Sequence, residues 1–184
     1  ALVFFGLLGI YFAHLRAFNY HVLPDNWRSA ITFLNIFSVS AVLCSLGSRF
    51  VYPQLSLEGQ SFWMLGLAPT TMQRIVLTKF MTAATALVAV SVSLALLSTG
   101  MLDATLVVRA TAITLTASVS LAVCGFSTGL GAVFLDLDQR NPAAIVSGFG
   151  GTLNLVLSLC YMLVTILPFS VVFHLFGTGR MAAG

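Results

Sequence analysis

The sequence contains very little charge. Of its 184 residues, eight are Lys or Arg and five are Asp or Glu, so 7% are charged, against roughly a quarter in an average soluble domain. Apolar residues make up 59%. A water-soluble globular domain is therefore excluded, and a net charge of +3 provides no basic stripe of the kind that nucleic-acid binding needs. The composition indicates an integral membrane protein, with the lipid bilayer as a partner and no nucleic acid.

Residue types that carry chemistry are also scarce. The three cysteines, Cys44, Cys124 and Cys160, lie in apolar segments without a CxxC pattern or a histidine at ligand spacing, so neither a metal site nor a disulfide framework is predicted. The phosphate-binding pattern GxxxxGK[ST] is absent, as is HExxH. We therefore expect no catalytic residue, no metal and no cofactor in this chain, and we predict that it is not an enzyme.

Long uncharged apolar runs are abundant, by contrast. Four of them, at residues 30–47, 80–102, 110–135 and 141–173, meet or approach the ~20 residues that span a hydrocarbon core as an α-helix. A fifth run, 2–13, is too short to span alone, and it lacks the basic flank and cleavage site of a signal peptide. The alternating pattern of a membrane β-barrel is absent. The predicted fold is all-α, a polytopic helical membrane protein.

The runs define one transmembrane domain, residues 1–184, which we expect to belong to a larger chain because it opens inside an apolar run and ends without a clear terminal element. About five transmembrane helices are predicted, near residues 1–13, 30–48, 71–99, 104–131 and 142–176. Segment 49–70 connects the second helix to the third. The distribution of basic residues slightly favours a cytoplasmic position for this segment.

The stretch between residues 48 and 79 is a polar island in this apolar chain, with four charged residues. Pro53 is predicted to end the preceding helix, because proline has no amide donor and disfavours helix in the residue before it. Ser56 can cap a short helix that carries Glu58 in its first turn, where a carboxylate meets the positive end of the helix dipole. The sequence therefore predicts a short helix at the membrane surface.

The second half of this stretch leads into the next membrane helix. Phe62 and Trp63 provide an aromatic anchor, and residues 66–69 break the short helix. Thr70 with Gln73 then matches a capping box. Because the first half of the short helix is polar and the second half apolar, it fits a docking element better than a helix lying flat in lipid. An ordinary interfacial loop with a belt tryptophan is the alternative.

The pattern RFVYPQLSLEGQSFWMLGLAPTTMQRIVLTKF resembles the first cytoplasmic loop of the permease (transmembrane) subunits of bacterial ABC-2 type exporters. In those subunits a short coupling helix carries an acidic residue, and a turn ending in proline precedes a helix with a lysine near its start. Glu58, the turn 65–69 and Lys79 match these elements. A second block, GLGAVFLDLDQRNPAAIVSGFGGTLNLVLSLCY, resembles the connection between the fourth and fifth helices in one subgroup of ABC exporter permeases.

The resemblance implies a multi-pass subunit of the bacterial inner (plasma) membrane that forms a homodimer or heterodimer. It also implies cytosolic ATPase subunits as partners, which bind ATP and Mg²⁺ and drive export through the coupling helix. The residues expected to contact the ATPase subunit are Glu58, Gly59, Gln60, Ser61 and Phe62. Those expected to serve as interfacial anchors are Trp63, Arg74 and Lys79.

The acidic loop after the fourth predicted helix is interpreted as a second cytoplasmic loop, with Asp136, Asp138 and Arg140. Two carboxylates two residues apart provide too few ligands for a metal. A local arrangement is predicted instead, in which Asn141 caps the next helix and Pro142 takes its first position.

Glycines inside the membrane helices are interpreted as packing surfaces that let a neighbouring helix approach closely. The residues concerned are Gly125, Gly129, Gly148 and Gly151. A second possibility is that the glycines near residue 150 permit bending of the fifth helix. Asn154 is the most costly neutral group to bury in that helix, and we expect it to find a partner across a helix interface, with a second subunit as a candidate.

Two alternatives to an exporter subunit stay open. A non-transporting membrane anchor or assembly subunit could use the same cytoplasmic loop to dock a soluble partner. A secondary transporter is disfavoured, because no Asp, Glu or Lys lies deep in a predicted helix, where proton- and sodium-coupled transporters commonly place such groups.

Overall fold

The computed structural model describes residues 25–61, 67, 71–101, 106–139 and 141–177, which form helices and contain no β-strand. Helix α1 (Asp25–Leu46) continues as a π-helical turn (Gly47–Val51) and a 3₁₀ turn (Tyr52–Gln54), and a separate 3₁₀ helix covers Ser56–Ser61. The later helices are α2 (Met72–Met101), α3 (Leu106–Val133), α4 (Pro142–Ser147) and α5 (Phe149–Gly177). The all-α prediction is confirmed. The helix predicted near residues 1–13 lies outside the described residues.

Four helical segments are long and apolar enough to cross a membrane: Ile31–Gln54, Met72–Gly100, Leu106–Val133 and Phe149–Val172. They contain 24 to 29 residues each, more than the ~20 that a bilayer core requires. Large apolar side chains on their outer faces are exposed, such as Leu97, Leu121 and Val164, as expected for surfaces that contact lipid. The protein is therefore a multi-pass helical membrane protein.

Helix α1 contacts all three of the other long helices. The main apolar core draws on all four: Phe33, Cys44, Leu87, Val119, Val123, Met162 and Ile166. Lipid tails are as apolar as these side chains, so close van der Waals packing, rather than escape from water, holds membrane helices together.

Three glycines bring the end of α1 and its π and 3₁₀ turns deep into the bundle. A Cβ atom on Gly47 would overlap the Val123 side chain of α3. A Cβ on Gly131 would lie 2.6 Å from the Tyr52 carbonyl oxygen, and one on Gly150 would overlap the Tyr52 hydroxyl. Each contact requires a residue without a side chain.

This packing explains a difference between structure and sequence. The sequence assigns residues 49–54 to the connecting segment, but they are helical and complete the candidate span Ile31–Gln54. Val51, Tyr52 and Pro53 are buried, so this part of the chain stays inside the bundle. Pro53 changes the helix from π to 3₁₀ geometry rather than ending it, because a proline in the first turn of a 3₁₀ segment needs no amide donor.

A buried polar cluster joins three helical segments near the same end. The Asn154 side-chain amide donates to the hydroxyls of Ser48 (3.0 Å) and Ser127 (3.1 Å), and all three residues are almost fully buried. The expectation that Asn154 finds a partner across a helix interface is confirmed. Both partners belong to the same chain, so a second subunit is not needed to satisfy Asn154.

Replacing Asn154 by alanine should lower the free energy of unfolding by about 1 kcal/mol, because the variant loses the hydrogen bonds that tie α5 to Ser48 and Ser127. Denaturation by SDS in mixed micelles measures this change. Thr152→Ala is the matched control. Thr152 is exposed, and its hydroxyl donates to the nearby backbone carbonyls of Gly148 and Phe149. Equal losses in the two variants would contradict a specific role for the cluster.

Candidate functional site

The two predicted cytoplasmic connections meet at one end of the bundle. We call this the loop end and define it as residues 52–61, 71–79, 134–139 and 141–151. It contains the 3₁₀ helix Ser56–Ser61, the first turns of α2, the connection from α3 to α4, and the start of α5. Among the described residues, one ion pair and one hydrogen bond between side chain and backbone connect these parts.

The 3₁₀ helix Ser56–Ser61 stands where the sequence predicts a short helix. Leu55 and Ser56 are buried, whereas Leu57 is 46% exposed. The amide of Glu58 donates to the Leu55 carbonyl at 3.3 Å. The segment is therefore packed against the bundle on one side and presents an apolar side chain outward on the other.

An ion pair ties this 3₁₀ helix to α2. The Lys79 ammonium contacts the Oε1 atom of Glu58, and the two side chains are 30% and 21% exposed, respectively. The second carboxylate oxygen, Oε2, is buried and has no hydrogen-bond partner among the described residues. Both side chains keep part of their surface exposed, so the pair is intermediate between a surface ion pair and a buried one. Glu58 thus holds its segment to the second turn of α2.

A hydrogen bond links the two connections directly. The amide of Asp136 donates to the Ser56 hydroxyl at 3.2 Å. The Asp136 carboxylate in turn accepts from the amides of Asp138 (3.1 Å) and Gln139 (3.3 Å), which closes a local turn. Ser56 is the first residue of the 3₁₀ helix rather than its cap, because the Leu55 carbonyl accepts from the Glu58 amide. The first and second connections therefore form one surface.

The start of α4 follows the prediction. The Asn141 side chain accepts a hydrogen bond from the Ala143 amide at 3.0 Å, and Pro142 occupies the first position of the helix. The structure differs further along, where the sequence predicts one helix over 142–176. Gly148 adopts an extended conformation with ψ of 172°, which ends α4 and separates it from α5.

The other predicted packing glycines have unequal surroundings. Gly151 is buried at the break between α4 and α5, where a Cβ would overlap the backbone of Val146. Gly125 and Gly129 are exposed, and a Cβ on either would meet no atom of the described residues within 4 Å. Close packing of a helix against Gly125 and Gly129 stays a prediction. The close approaches on α3 occur on its other face, at Gly131.

Helix α2 begins one residue later than the predicted capping box implies. The Thr71 carbonyl accepts from the amides of Arg74 (2.9 Å) and Ile75 (3.3 Å), so Thr71 holds the capping position. Gln73 is therefore at the second position of the helix rather than the third. Thr70 lies outside the described residues.

The remaining predicted site residues are placed as follows. Gly59, Gln60 and Ser61 belong to the 3₁₀ helix, and Arg74 and Asp138 are exposed at the loop end. Phe62, Trp63 and Arg140 lie outside the described residues. Leu57 is not among the residues predicted from the sequence to contact a partner. Its signal in the sequence is an apolar residue beside the acidic Glu58 in a polar segment.

Comparison with known proteins gives one match. A family model described as "Putative ATP-binding cassette" matches residues 1–182. No curated protein and no solved structure matches the sequence.

The match overturns one prediction. The sequence, which lacks a GxxxxGK[ST] loop, predicts that the chain is not an enzyme and that ATPase activity resides in a partner. The family description names the ATP-binding cassette itself, so the prediction that the chain is not an enzyme is contradicted.

Proposed function

Because the chain belongs to the family described as "Putative ATP-binding cassette", which relates it to ABC transporters, we propose that it forms the membrane-spanning part of an ATP-driven ABC exporter of the ABC-2 type. In this proposal the loop end is cytoplasmic and binds a cytosolic ATPase subunit. The four candidate membrane spans support the membrane role.

One observation carries the proposal: the 3₁₀ helix Ser56–Ser61 is attached at two points, to a membrane helix and to the connection that follows another. The Glu58–Lys79 ion pair connects it to α2, and the Ser56–Asp136 hydrogen bond connects it to the segment after α3. A partner that pushes on this helix would therefore act on α2 through Lys79 and on the connection after α3 through Asp136. A coupling element needs this mechanical connection.

The proposal includes the rest of the assembly. The docked ATPase subunit binds ATP and Mg²⁺, two copies of the membrane domain pair as a homodimer or a heterodimer, and the complex resides in a bacterial inner membrane. Glu58, with Gly59, Gln60 and Ser61 beside it, contacts the ATPase subunit, and the exposed Leu57 adds an apolar contact. The Asp136–Gln139 turn extends the same surface.

Photo-crosslinking tests the docking surface. A photoreactive amino acid replaces Leu57, and in a matched variant it replaces Leu97, which is 57% exposed near the opposite end of α2. In native membranes we expect the Leu57 variant to crosslink a cytosolic protein whose sequence, read by mass spectrometry, contains GxxxxGK[ST]. The Leu97 variant should give no such product.

Two outcomes would refute the proposal. An ATPase crosslink at Leu97 and none at Leu57 would place the docking surface at the wrong end. A Leu57 product that contains only proteins without a nucleotide-binding loop would favour a membrane anchor that docks a different soluble partner.

A further inference from the structure

The hydroxyl of Ser158 on α5 is buried and has no hydrogen-bond partner among the described residues. This is unusual for the chain, because most hydroxyls in its membrane helices donate to a carbonyl of their own helix. Thr116 donates to Ala112 at 2.9 Å, and Thr128 to Cys124 at 2.7 Å. A buried hydroxyl without a partner loses the hydrogen bonds it would make to water. A ligand at Ser158 would restore these hydrogen bonds.

The contacts between α1 and α5 fix the surroundings of Ser158. The Asn154 amide donates to Ser48. One turn later in α5 and one turn earlier in α1, the Cys44 thiol donates to the Ser158 carbonyl at 3.6 Å. The two helices are antiparallel, so Ser158 lies one turn beyond the Asn154 cluster on the same interface. All four residues have a relative exposure of 1% or less.

The spacing between Ser158 and the cluster suits one water molecule. Residues four apart on a helix have Cβ atoms about 5–6 Å from each other. The Cβ atoms of both residues tilt toward the N-terminus of α5, so this spacing is kept between the two side chains. A water that makes one hydrogen bond of about 2.8 Å to each side spans this gap. A direct bond between the two side chains would need a shorter distance.

The cluster also has capacity for another donor. The Asn154 carbonyl oxygen accepts from the Ser127 hydroxyl at 3.3 Å and retains a second lone pair. A buried water typically makes about three hydrogen bonds to polar groups that would otherwise be unsatisfied. Ser158 supplies one such group, and the Asn154 oxygen and the Ser48 hydroxyl, which accepts from Asn154, supply further hydrogen-bonding capacity beside it.

From these observations we propose that Ser158, Asn154 and Ser48 form a buried binding site for one water molecule between α1 and α5. The ligand must donate a hydrogen bond to the Asn154 oxygen, which can only accept. It must also accept one from the Ser158 hydroxyl. The site extends the polar cluster by one helical turn into the membrane span and satisfies the Ser158 hydroxyl.

A double-mutant cycle of Ser158→Ala and Ser48→Ala tests the site, with Tm measured in lipid nanodiscs. Ser158→Ala should lower the Tm by about 2–4 °C, since the water loses one partner. The double variant should lose less than the sum of the two single losses, because both residues act through the same water. Neutral or stabilising effects of Ser158→Ala that add to those of Ser48→Ala would overturn the proposal.

Ser40→Ala is the matched control. The Ser40 hydroxyl is equally buried and equally without a partner among the described residues, but it lies eight residues from Ser48, about 12 Å along α1. One water cannot bridge that distance, so Ser40→Ala should leave the Tm unchanged or raise it, and should add to Ser48→Ala.

Solid-state NMR with magnetisation transfer from water gives a direct readout in bilayers. Ser158 and Asn154 should receive water magnetisation early, whereas Met162, one turn further along α5 and 1% exposed, should not. Equally late transfer to all three residues would overturn the proposal, whatever the Tm values show.

Discussion

Reversing the charge of Glu58 should release the 3₁₀ helix Ser56–Ser61 from α2. In Glu58→Lys, two ammonium groups face each other where the wild type has an ion pair. The pair is intermediate between exposed and buried, so we expect a cost of about 1–2 kcal/mol, which is roughly a 5- to 30-fold shift toward the released segment. Hydrogen exchange of amides 56–61 measures the shift.

The charge-swapped double variant separates the ion pair from other effects. Lys79→Glu alone should raise exchange in the same segment, and Glu58→Lys with Lys79→Glu should restore slow exchange. Arg74→Glu is the control, because Arg74 is exposed on the first turn of the same helix. If the double variant exchanges as fast as the single variants, the ion pair does not hold the segment.

The same variants connect the ion pair to the proposed function. In proteoliposomes with the ATPase subunit, Glu58→Lys should uncouple ATP hydrolysis from transport, and the charge swap should recover part of the coupling. Full transport in Glu58→Lys, with the segment shown to be released, would mean that force reaches the membrane helices by another route, and the Leu57 crosslink would still report on docking.

The sequence predicted the elements of the loop end better than the contacts between them. It placed a short helix around Glu58 and a cap at Asn141, because capping and dipole preferences are local. It treated Glu58 as a partner contact and Lys79 as a separate anchor. They are 21 residues apart in sequence, and only the return of the chain along α2 brings them together.

The glycines on α3 also show that spacing in the sequence does not determine which residues contact a neighbouring helix. The segment GFSTGLG contains two small pairs at four-residue spacing, Gly125 with Gly129 and Ser127 with Gly131. Both fit a packing surface equally well by spacing. The structure buries Ser127 and Gly131 and exposes the other pair. The polar Ser127, which should avoid lipid, was the signal that identifies the inner face.

The break at Gly148 could not be predicted from apolar length alone. Residues 141–173 form one uncharged run, and such a run predicts one helix. The Tyr52 hydroxyl, brought in by α1, lies against Gly150 at the start of α5. This tertiary contact beside the break is not encoded in apolar length.

Gly131→Val should cause the largest loss of stability of any substitution considered. The added Cβ would lie 2.6 Å from the Tyr52 carbonyl oxygen, a backbone atom inside a packed helical turn that cannot rotate away. Relief would require α3 and residues 52–54 to separate, and such overpacking costs about 1–3 kcal/mol. Denaturation by SDS in mixed micelles measures the loss.

Gly129→Val is the matched control, because it makes the same change on the same helix where a Cβ meets no atom of the described residues within 4 Å. Both substitutions alter helix propensity equally, so their difference isolates the contact with Tyr52. We expect Gly129→Val to leave the stability of the isolated chain within about 0.5 kcal/mol of wild type. Equal destabilisation would refute the close approach of α3 to residues 52–54, and with it the physical reason that the end of α1 stays inside the bundle and positions the 3₁₀ helix.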